Sequence, residues 1–370
     1  MAKPMKPPFW KRWFSRRLVK PFLAWQIELT TRCPLRCRMC CREGHPSEAR
    51  QDMAFDDFQK LAPHFRDAEA VVLEGWGESL LHPQLIPCIR LVHEAGSRVG
   101  FVTSGKTLNE AYINDLVDAG PDFIGFSLNG ATPQTHDAIR VHSDLTELTG
   151  HIRMFQEAKT RLGRTTPRLH IVYLLLRSNI HEVPQLIRLA KELKIEEVIL
   201  IQLALVTSAW QDEQKAFADS THPEYEAYLA EGEHLAKAGG IRLTRPAMTP
   251  CDVAVCSEDP LRNLYISVQG DLSPCVYLNP PISRPFTHIF QGEAYPTDRV
   301  TFGNVFREGF EAIWQSEAYS DFRKCFARRK ERFRDFEGPM IDLSQMERAA
   351  AAPIPAPPLP CRRCYKILGF

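Results

Sequence analysis

The chain has 370 residues, 44% of them hydrophobic and 25% charged, with a formal net charge of +1 at pH 7. That length serves one large domain plus a smaller one, or two ordinary domains, and near-neutrality gives no global case for a nucleic-acid partner or an acidic tail. No apolar run approaches the roughly 20 residues of a membrane helix, and the basic N-terminus lacks the small-residue cleavage site of a secretory signal; a cytoplasmic protein with no transmembrane segment is expected.

Residues 1 to 23 read as a basic arm rich in Lys, Arg, Trp and Phe. Docking on the body is the simplest role for it, with a partner or a lipid surface as the alternatives. From residue 24 to about 240 short apolar runs alternate with helical patterns. The strand candidates are "WQIELT" (25–30), "AVVLE" (70–74), "RVGFVT" (98–103), "FIGFSL" (123–128), "LHIVYLLL" (169–176) and "EVILIQL" (197–203). Between them lie "FDDFQKLAPHF", "LIPCIRLVHEAG", "AYINDLVDAG", "LTGHIRMFQEAKTRLG" and "VPQLIRLAKELK", whose apolar residues recur at helical spacing. Gly96 and Gly120 are placed to stop two of these helices. The rhythm predicts an α/β fold with a parallel sheet covered by helices. Six repeats fall short of a closed eight-fold barrel and suit a partial (β/α)6 barrel.

Eleven cysteines in a reducing compartment point to metal rather than disulfides. Cys33, Cys37, Cys40 and Cys41 crowd the segment just after the first strand. Cys33, Cys37 and Cys40 have the spacing C-x3-C-x2-C, which suits a 4Fe–4S cluster with one iron left open for a small molecule; Cys41 in place of Cys40 is the alternative. "GWGE" (75–78) follows the second strand, "TSG" (103–105) the third, and "SLNG" (127–130) ends the fourth. All of these gather at the C-terminal ends of the strands. Arg32, Arg36, Arg38 and Arg42 flank the thiols, to neutralise a cluster, to meet an acidic electron donor, or to face solvent.

After residue 240 the texture changes. "LYISV-QGD-LSPCVYL" (264–278) predicts a hairpin, and "FREGFEAIWQSEAYSDFRKCFARRK" a helical stretch. Residues 350–360 form an extended Pro/Ala linker that delivers Cys361-x2-Cys364 back to the body. Cys88 and Cys325 stand apart and read as ordinary core or surface residues.

"CPLRCRMC" (33–40), set in this strand–helix rhythm, resembles the radical S-adenosylmethionine enzymes over roughly residues 24–240. The resemblance implies that the open iron is chelated by the amino and carboxylate groups of S-adenosylmethionine. Reductive cleavage then gives a 5′-deoxyadenosyl radical that removes hydrogen from a substrate. It also implies cofactor contacts. Met39 stands where the family more often has an aromatic beside adenine. Gly75, Trp76, Gly77 and Glu78 occupy the place of a Gly-Gly-Glu stretch that meets the methionine amino group. Ser127 and Asn129 fall where ribose contacts lie, Asn129 replacing a commoner Asp. Arg140 matches the methionine carboxylate, and a surface helix arginine is its alternative. Asn179 is a ribose contact or a helix cap, the cap being preferred.

Cys256, thirteen residues, Gly270, four residues and Cys275 resemble the opening of the SPASM extension, and residues 303–323 resemble its helix. Only six residues follow Cys364, none of them Cys, so the resemblance is to a shortened, twitch-like form spanning 241–370 with one auxiliary 4Fe–4S cluster. Cys256, Cys275, Cys361 and Cys364 are its implied ligands. Cys251 competes for one place, and structural zinc is the rival metal. The implied partners are a reductant such as flavodoxin or ferredoxin, and a peptide or protein side chain as substrate. The alternatives are oxidation or ring formation on a small metabolite or cofactor precursor, and a non-catalytic iron–sulfur or zinc scaffold.

Overall fold

The structure, a computed structural model, describes residues 20–45, 51–337 and 354–370. The expected basic arm therefore lies almost wholly outside the described residues, as does the start of the Pro/Ala linker.

Six strands lie side by side in chain order, all parallel: β1 (Phe22–Ile27), β2 (Ala68–Val72), β3 (Arg98–Thr103), β4 (Phe123–Leu128), β5 (Arg168–Leu174) and β6 (Glu197–Ile201). Each crossover carries at least one helix. These are α1 (Phe55–Phe65), α2 (Leu85–Glu94), α3 (Glu110–Ala119), α4 (Pro133–Ile139) with α5 (Leu145–Arg161), and α6 (Val183–Glu192). α7 (Ala209–Gln214) and α8 (Pro223–Gly239) follow β6. The partial barrel is thus the observed architecture. Alternation along β1 shows why: Trp25 and Ile27 are fully buried under the helices, while Ala24 and Gln26 line a cavity inside the sheet. α3 ends on Gly120, whose left-handed φ of 71° closes the helix, and Gly96 lies just past α2 with φ 78°.

The sheet is wider than the six expected strands. β7 (Arg242–Thr244) extends it beyond β6, and β8 (Asn263–Ile266) runs parallel to β1 on the other edge. β9 (Leu272–Ser273) closes the predicted hairpin antiparallel to β8. One nine-stranded sheet thereby carries the C-terminal segment onto the barrel. A further hairpin, β10 (Phe286–Phe290) with β11 (Glu293–Thr297), stands outside it. The predicted C-terminal helical stretch is three helices, α9 (Val305–Glu308), α10 (Phe310–Gln315) and α11 (Glu317–Glu337). It breaks at Gly309, with φ 79°, and at Ser316, which is extended and accepts from the Tyr319 N–H. α10 packs on the outer face of β1: Phe310 lies 4.5 Å from Trp25 and 5.7 Å from Phe22, and Trp314 4.9 Å from Phe22, ring centre to ring centre. Among the described residues no helix is long and apolar enough to cross a membrane.

Candidate functional site

The cysteine loop leaves the C-terminal end of β1 and is pinned by a short antiparallel pairing of Arg36–Cys37 with Arg140–Val141. Cys33, Cys37 and Cys40 line a cavity of about 250 Å³ inside the barrel mouth, together with Met39. The same three thiols also border an outer cavity of about 660 Å³ with Arg36 and Arg42. Cys41 lines neither. Its side chain is buried against Leu205, Ile282 and Phe286. The two neighbours differ chemically as well. A hydrogen bond from the Cys41 thiol brings Cys40 down to about 7, whereas burial pushes Cys41 well up. Burial also holds Cys33 up at about 12 and raises Cys37, against the pull of Arg140.

The flanking arginines now separate. Arg32 is tied to Asp52 at 2.7 Å and to the Leu81 carbonyl. Arg38 stacks on Trp210 at 4.3 Å, and Arg42 donates to the Trp76 carbonyl at 3.2 Å.

Gly75, Trp76, Gly77 and Glu78 line the inner cavity from the end of β2. A Cβ on Gly77 would lie 2.0 Å from the Thr30 carbonyl oxygen, so the glycine lets this loop press onto the chain leaving β1. Trp76 ties the loop to two places: its N–H donates to Glu28 at 2.8 Å, and its indole N–H to the Val276 carbonyl at 3.2 Å. Glu78 is buried and already accepts from Thr103 Oγ1 (2.6 Å), Ser104 N–H (2.8 Å), Ser104 Oγ (2.6 Å) and Leu80 N–H (3.3 Å). Its carboxylate fastens the loop to the end of β3, which is how "TSG" enters the site.

Ser127, Asn129 and Arg140 line the cavity from the far side. Arg140 is no surface helix residue: it lies just past α4, and Nη1 donates to Asn129 Oδ1 at 3.0 Å. Its Nε is buried with no partner. Asn179 stands at the N-cap position of a short 3-10 helix (Ile180–Glu182), but its side chain makes no capping hydrogen bond and does not line the cavity. It is fully buried, accepts from Leu176 N–H at 2.7 Å, and donates to the carbonyls of Asn129 (3.0 Å) and Leu174 (2.9 Å), fixing the ends of β4 and β5 together. Local spacing could not show this clamp, because it joins residues 50 positions apart.

A second thiol group forms around the C-terminal segment. Cys256, Cys275, Cys361 and Cys364 are all held up by burial, and Cys275 feels the charge of each of the other three. Gly270 sits in the turn before Cys275 with φ 87°, and a Cβ there would strike the Phe306 ring at 2.4 Å. The tail is tied down strongly. Tyr365 Oη accepts from Lys215 Nζ and from Gln291 N–H, both at 2.9 Å, and Phe370 stacks on Phe217 at 4.1 Å. Cys251 is exposed and its sulfur lies against Gly369. Cys325 on α11 is near enough to Cys361 to raise it, a proximity the sequence spacing gave no sign of.

Among the described residues no three His, Cys, Asp or Glu side chains converge tightly enough to grip a single ion. The N-terminal thiols instead ring a cavity, a donor set that fits a multi-iron cluster. The unpartnered Arg140 nitrogen fits an anionic group beside it.

Comparison with known proteins agrees. Residues 27–199 match the family model of the radical SAM superfamily, and residues 256–338 that of SPASM, an iron–sulfur cluster-binding domain. The chain is similar to a tungsten-containing aldehyde ferredoxin oxidoreductase cofactor-modifying protein of Pyrococcus furiosus, at 24% identity over 80% of this chain and 82% of that protein. It is also similar to a PqqA peptide cyclase of Ruegeria pomeroyi, at 33% identity over 46% of this chain and 44% of that protein. This match spans less than half of the cyclase. In fold it resembles Streptococcus suis SuiB bound to S-adenosylmethionine, with a TM-score of 0.62 and 13% identity over 83% of this chain and 71% of that one.

Proposed function

We propose, on the premise that the chain belongs to the radical SAM superfamily and carries a SPASM-type extension, that it removes a hydrogen atom from a peptide or protein side chain. It is an enzyme of that superfamily, and its cofactors are a 4Fe–4S cluster, S-adenosylmethionine and auxiliary iron–sulfur. When bound and reduced, the first cluster and S-adenosylmethionine supply a 5′-deoxyadenosyl radical for hydrogen abstraction.

The chain's own residues would divide the work as follows. Cys33, Cys37 and Cys40 hold the cluster, and Arg140 faces the methionine carboxylate. The backbone of Gly75 to Gly77 meets the amino group, while Glu78 holds that loop in place. Met39 packs beside adenine, and Ser127 and Asn129 reach the ribose. Cys256, Cys275, Cys361 and Cys364 hold one auxiliary cluster. In this reading the barrel spans 24–240 and the extension 241–370, with the arm at 1–23. A flavodoxin or ferredoxin delivers the electron, and Arg36, which lines the outer cavity, would meet it.

One observation carries the reading: three thiols and Arg140, whose buried Nε has no partner, line a single cavity at the strand ends. The likeness to a peptide cyclase supports a peptide substrate. A second reading, action on a small cofactor precursor, draws on the cofactor-modifying relative, which matches over most of both chains. The test is anaerobic reconstitution followed by reduction with S-adenosylmethionine. Formation of 5′-deoxyadenosine and methionine is expected; their absence from a cluster-loaded protein would reject the reading. Deuterium appearing in 5′-deoxyadenosine from labelled peptides, or from labelled small precursors, decides between the two substrate classes.

A further inference from the structure

Glu74 follows β2 and lines two cavities at once. One is the inner cavity of about 250 Å³ with Cys33, Cys37 and Cys40. The other, of about 290 Å³, is lined by Cys275 and Tyr277. The carboxylates around it are committed elsewhere. Glu28 accepts from Trp76 N–H, Glu78 holds the donors of Thr103 and Ser104, and Glu258 pairs with Lys366 at 3.3 Å. The Glu74 backbone N–H donates to the Val72 carbonyl at 3.0 Å, but its carboxylate has neither a hydrogen bond nor an ion pair to any described residue. Its other neighbours bring no compensating cation: Gln26 and Asn263 are neutral, Tyr277 is a phenol, and Arg140 is turned to Asn129.

We propose that Glu74 accepts the proton that leaves the substrate when the substrate's electron passes to the auxiliary cluster. This rests on the reading that Cys256, Cys275, Cys361 and Cys364 hold a redox cluster and that substrate occupies the barrel cavity. Hydrogen abstraction leaves a carbon radical. Forming a double bond or closing a ring from it releases one electron and one proton. The oxidised auxiliary cluster takes the electron and is reduced by one; the Glu74 carboxylate takes the proton and becomes a carboxylic acid. A one-electron carrier protein then reoxidises the cluster, and the proton leaves through the open cavity. Burial first, then the charges of Glu258 and Glu78, push the Glu74 carboxyl up to about 8. A base poised near the working pH is best suited to such a transfer.

The geometry has a consequence that needs no substrate. Cys275, which would help hold the auxiliary cluster, lines Glu74's cavity, so reduction there would add negative charge near Glu74 and electron and proton uptake would favour each other. The test is an EPR redox titration of the doubly loaded holoenzyme between about pH 6.5 and 9.5, spanning the region where a linked group near 8 titrates. The auxiliary midpoint should fall as pH rises, with the reduced-to-oxidised ratio at fixed potential dropping by up to tenfold per pH unit, ~59 mV for one electron. Glu74→Gln should flatten that dependence, and Glu74→Asp should keep it. A flat profile in the native enzyme, or an unchanged slope in Glu74→Gln, overturns the assignment while leaving the auxiliary cluster in place. If no second redox-active cluster assembles, the auxiliary-site reading fails and this proposal falls with it.

Discussion

Cys40 and Cys41 are adjacent, yet only Cys40 opens into the cavity, and the Cys41 thiol serves it as a hydrogen-bond donor. Cys40→Ser should therefore abolish reductive cleavage of S-adenosylmethionine, while Cys41→Ser should keep most of it and retain the cluster; 5′-deoxyadenosine assayed by chromatography decides. The reverse pattern would show that the third ligand is Cys41. The C-x3-C-x2-C spacing, in which this loop resembles the radical S-adenosylmethionine enzymes, favours Cys40 over the C-x3-C-x3-C that Cys41 would give. Arg140 calls for a different measurement. Its Nε is buried and unpartnered, and a charged hydrogen bond to the cofactor carboxylate would satisfy it. Arg140→Gln should weaken binding of S-adenosylmethionine to cluster-loaded protein by about tenfold, ~1.4 kcal/mol, with Arg140→Lys in between. Equal binding in all three would remove Arg140 from the site. The side-chain roles that the sequence concealed are those set by distant partners. Asn179 looks like a cap because it precedes a helix, but its amide finds Asn129 and Leu174 instead.

Among the elements, the loop of residues 74–78 joins three separate parts of the molecule. It reaches the chain leaving β1 through Gly77, the end of β3 through Glu78, and the segment beside Cys275 through Trp76. Gly77→Ala should cost most of the cluster loading, because its methyl group would lie 2.0 Å from a backbone oxygen that cannot move without displacing Thr30. Gly150→Ala is the matched contrast: Gly150 lies inside α5 with open space at its Cβ. That change should stabilise the fold by about 0.5–1 kcal/mol through helix propensity. Iron content and thermal melts of the two variants provide the check. A Gly77→Ala protein with full iron would mean that the loop relaxes around the added methyl. The barrel elements were legible in sequence because their strands are continuous apolar runs with caps at the helix ends; β3 and β4 are found at the expected bounds. β7 was not, since a three-residue strand carries no periodicity and exists only through pairing with β6; β8 was legible as an arm of the hairpin, but its parallel pairing with β1 was not.

On the scale of the whole molecule, the question is how a tail pair of cysteines comes to share a site with residues a hundred positions earlier. The Pro/Ala linker that delivers Cys361 and Cys364 implies that the pair is tied to the body, but the anchors, Tyr365 on Lys215 and Gln291 and Phe370 on Phe217, are tertiary contacts without a local pattern. Because these anchors do not involve the thiols, the fold should survive loss of the pair. Two clusters per chain are expected, one on three thiolates at the barrel mouth and one on four at the extension. Since each cubane holds four irons, native protein should contain about eight irons, and Cys361→Ala/Cys364→Ala about four. The remaining cluster should still respond to S-adenosylmethionine in its EPR spectrum, because Cys33, Cys37 and Cys40 line a different cavity. Four thiolates leave no open iron, so the lost signal should be the one that ignores S-adenosylmethionine. Native protein with four irons and one zinc would make the extension a structural zinc site and remove the electron sink. Loss of both clusters with the fold intact by circular dichroism would show that the two sites assemble together, against the separation their cavities imply.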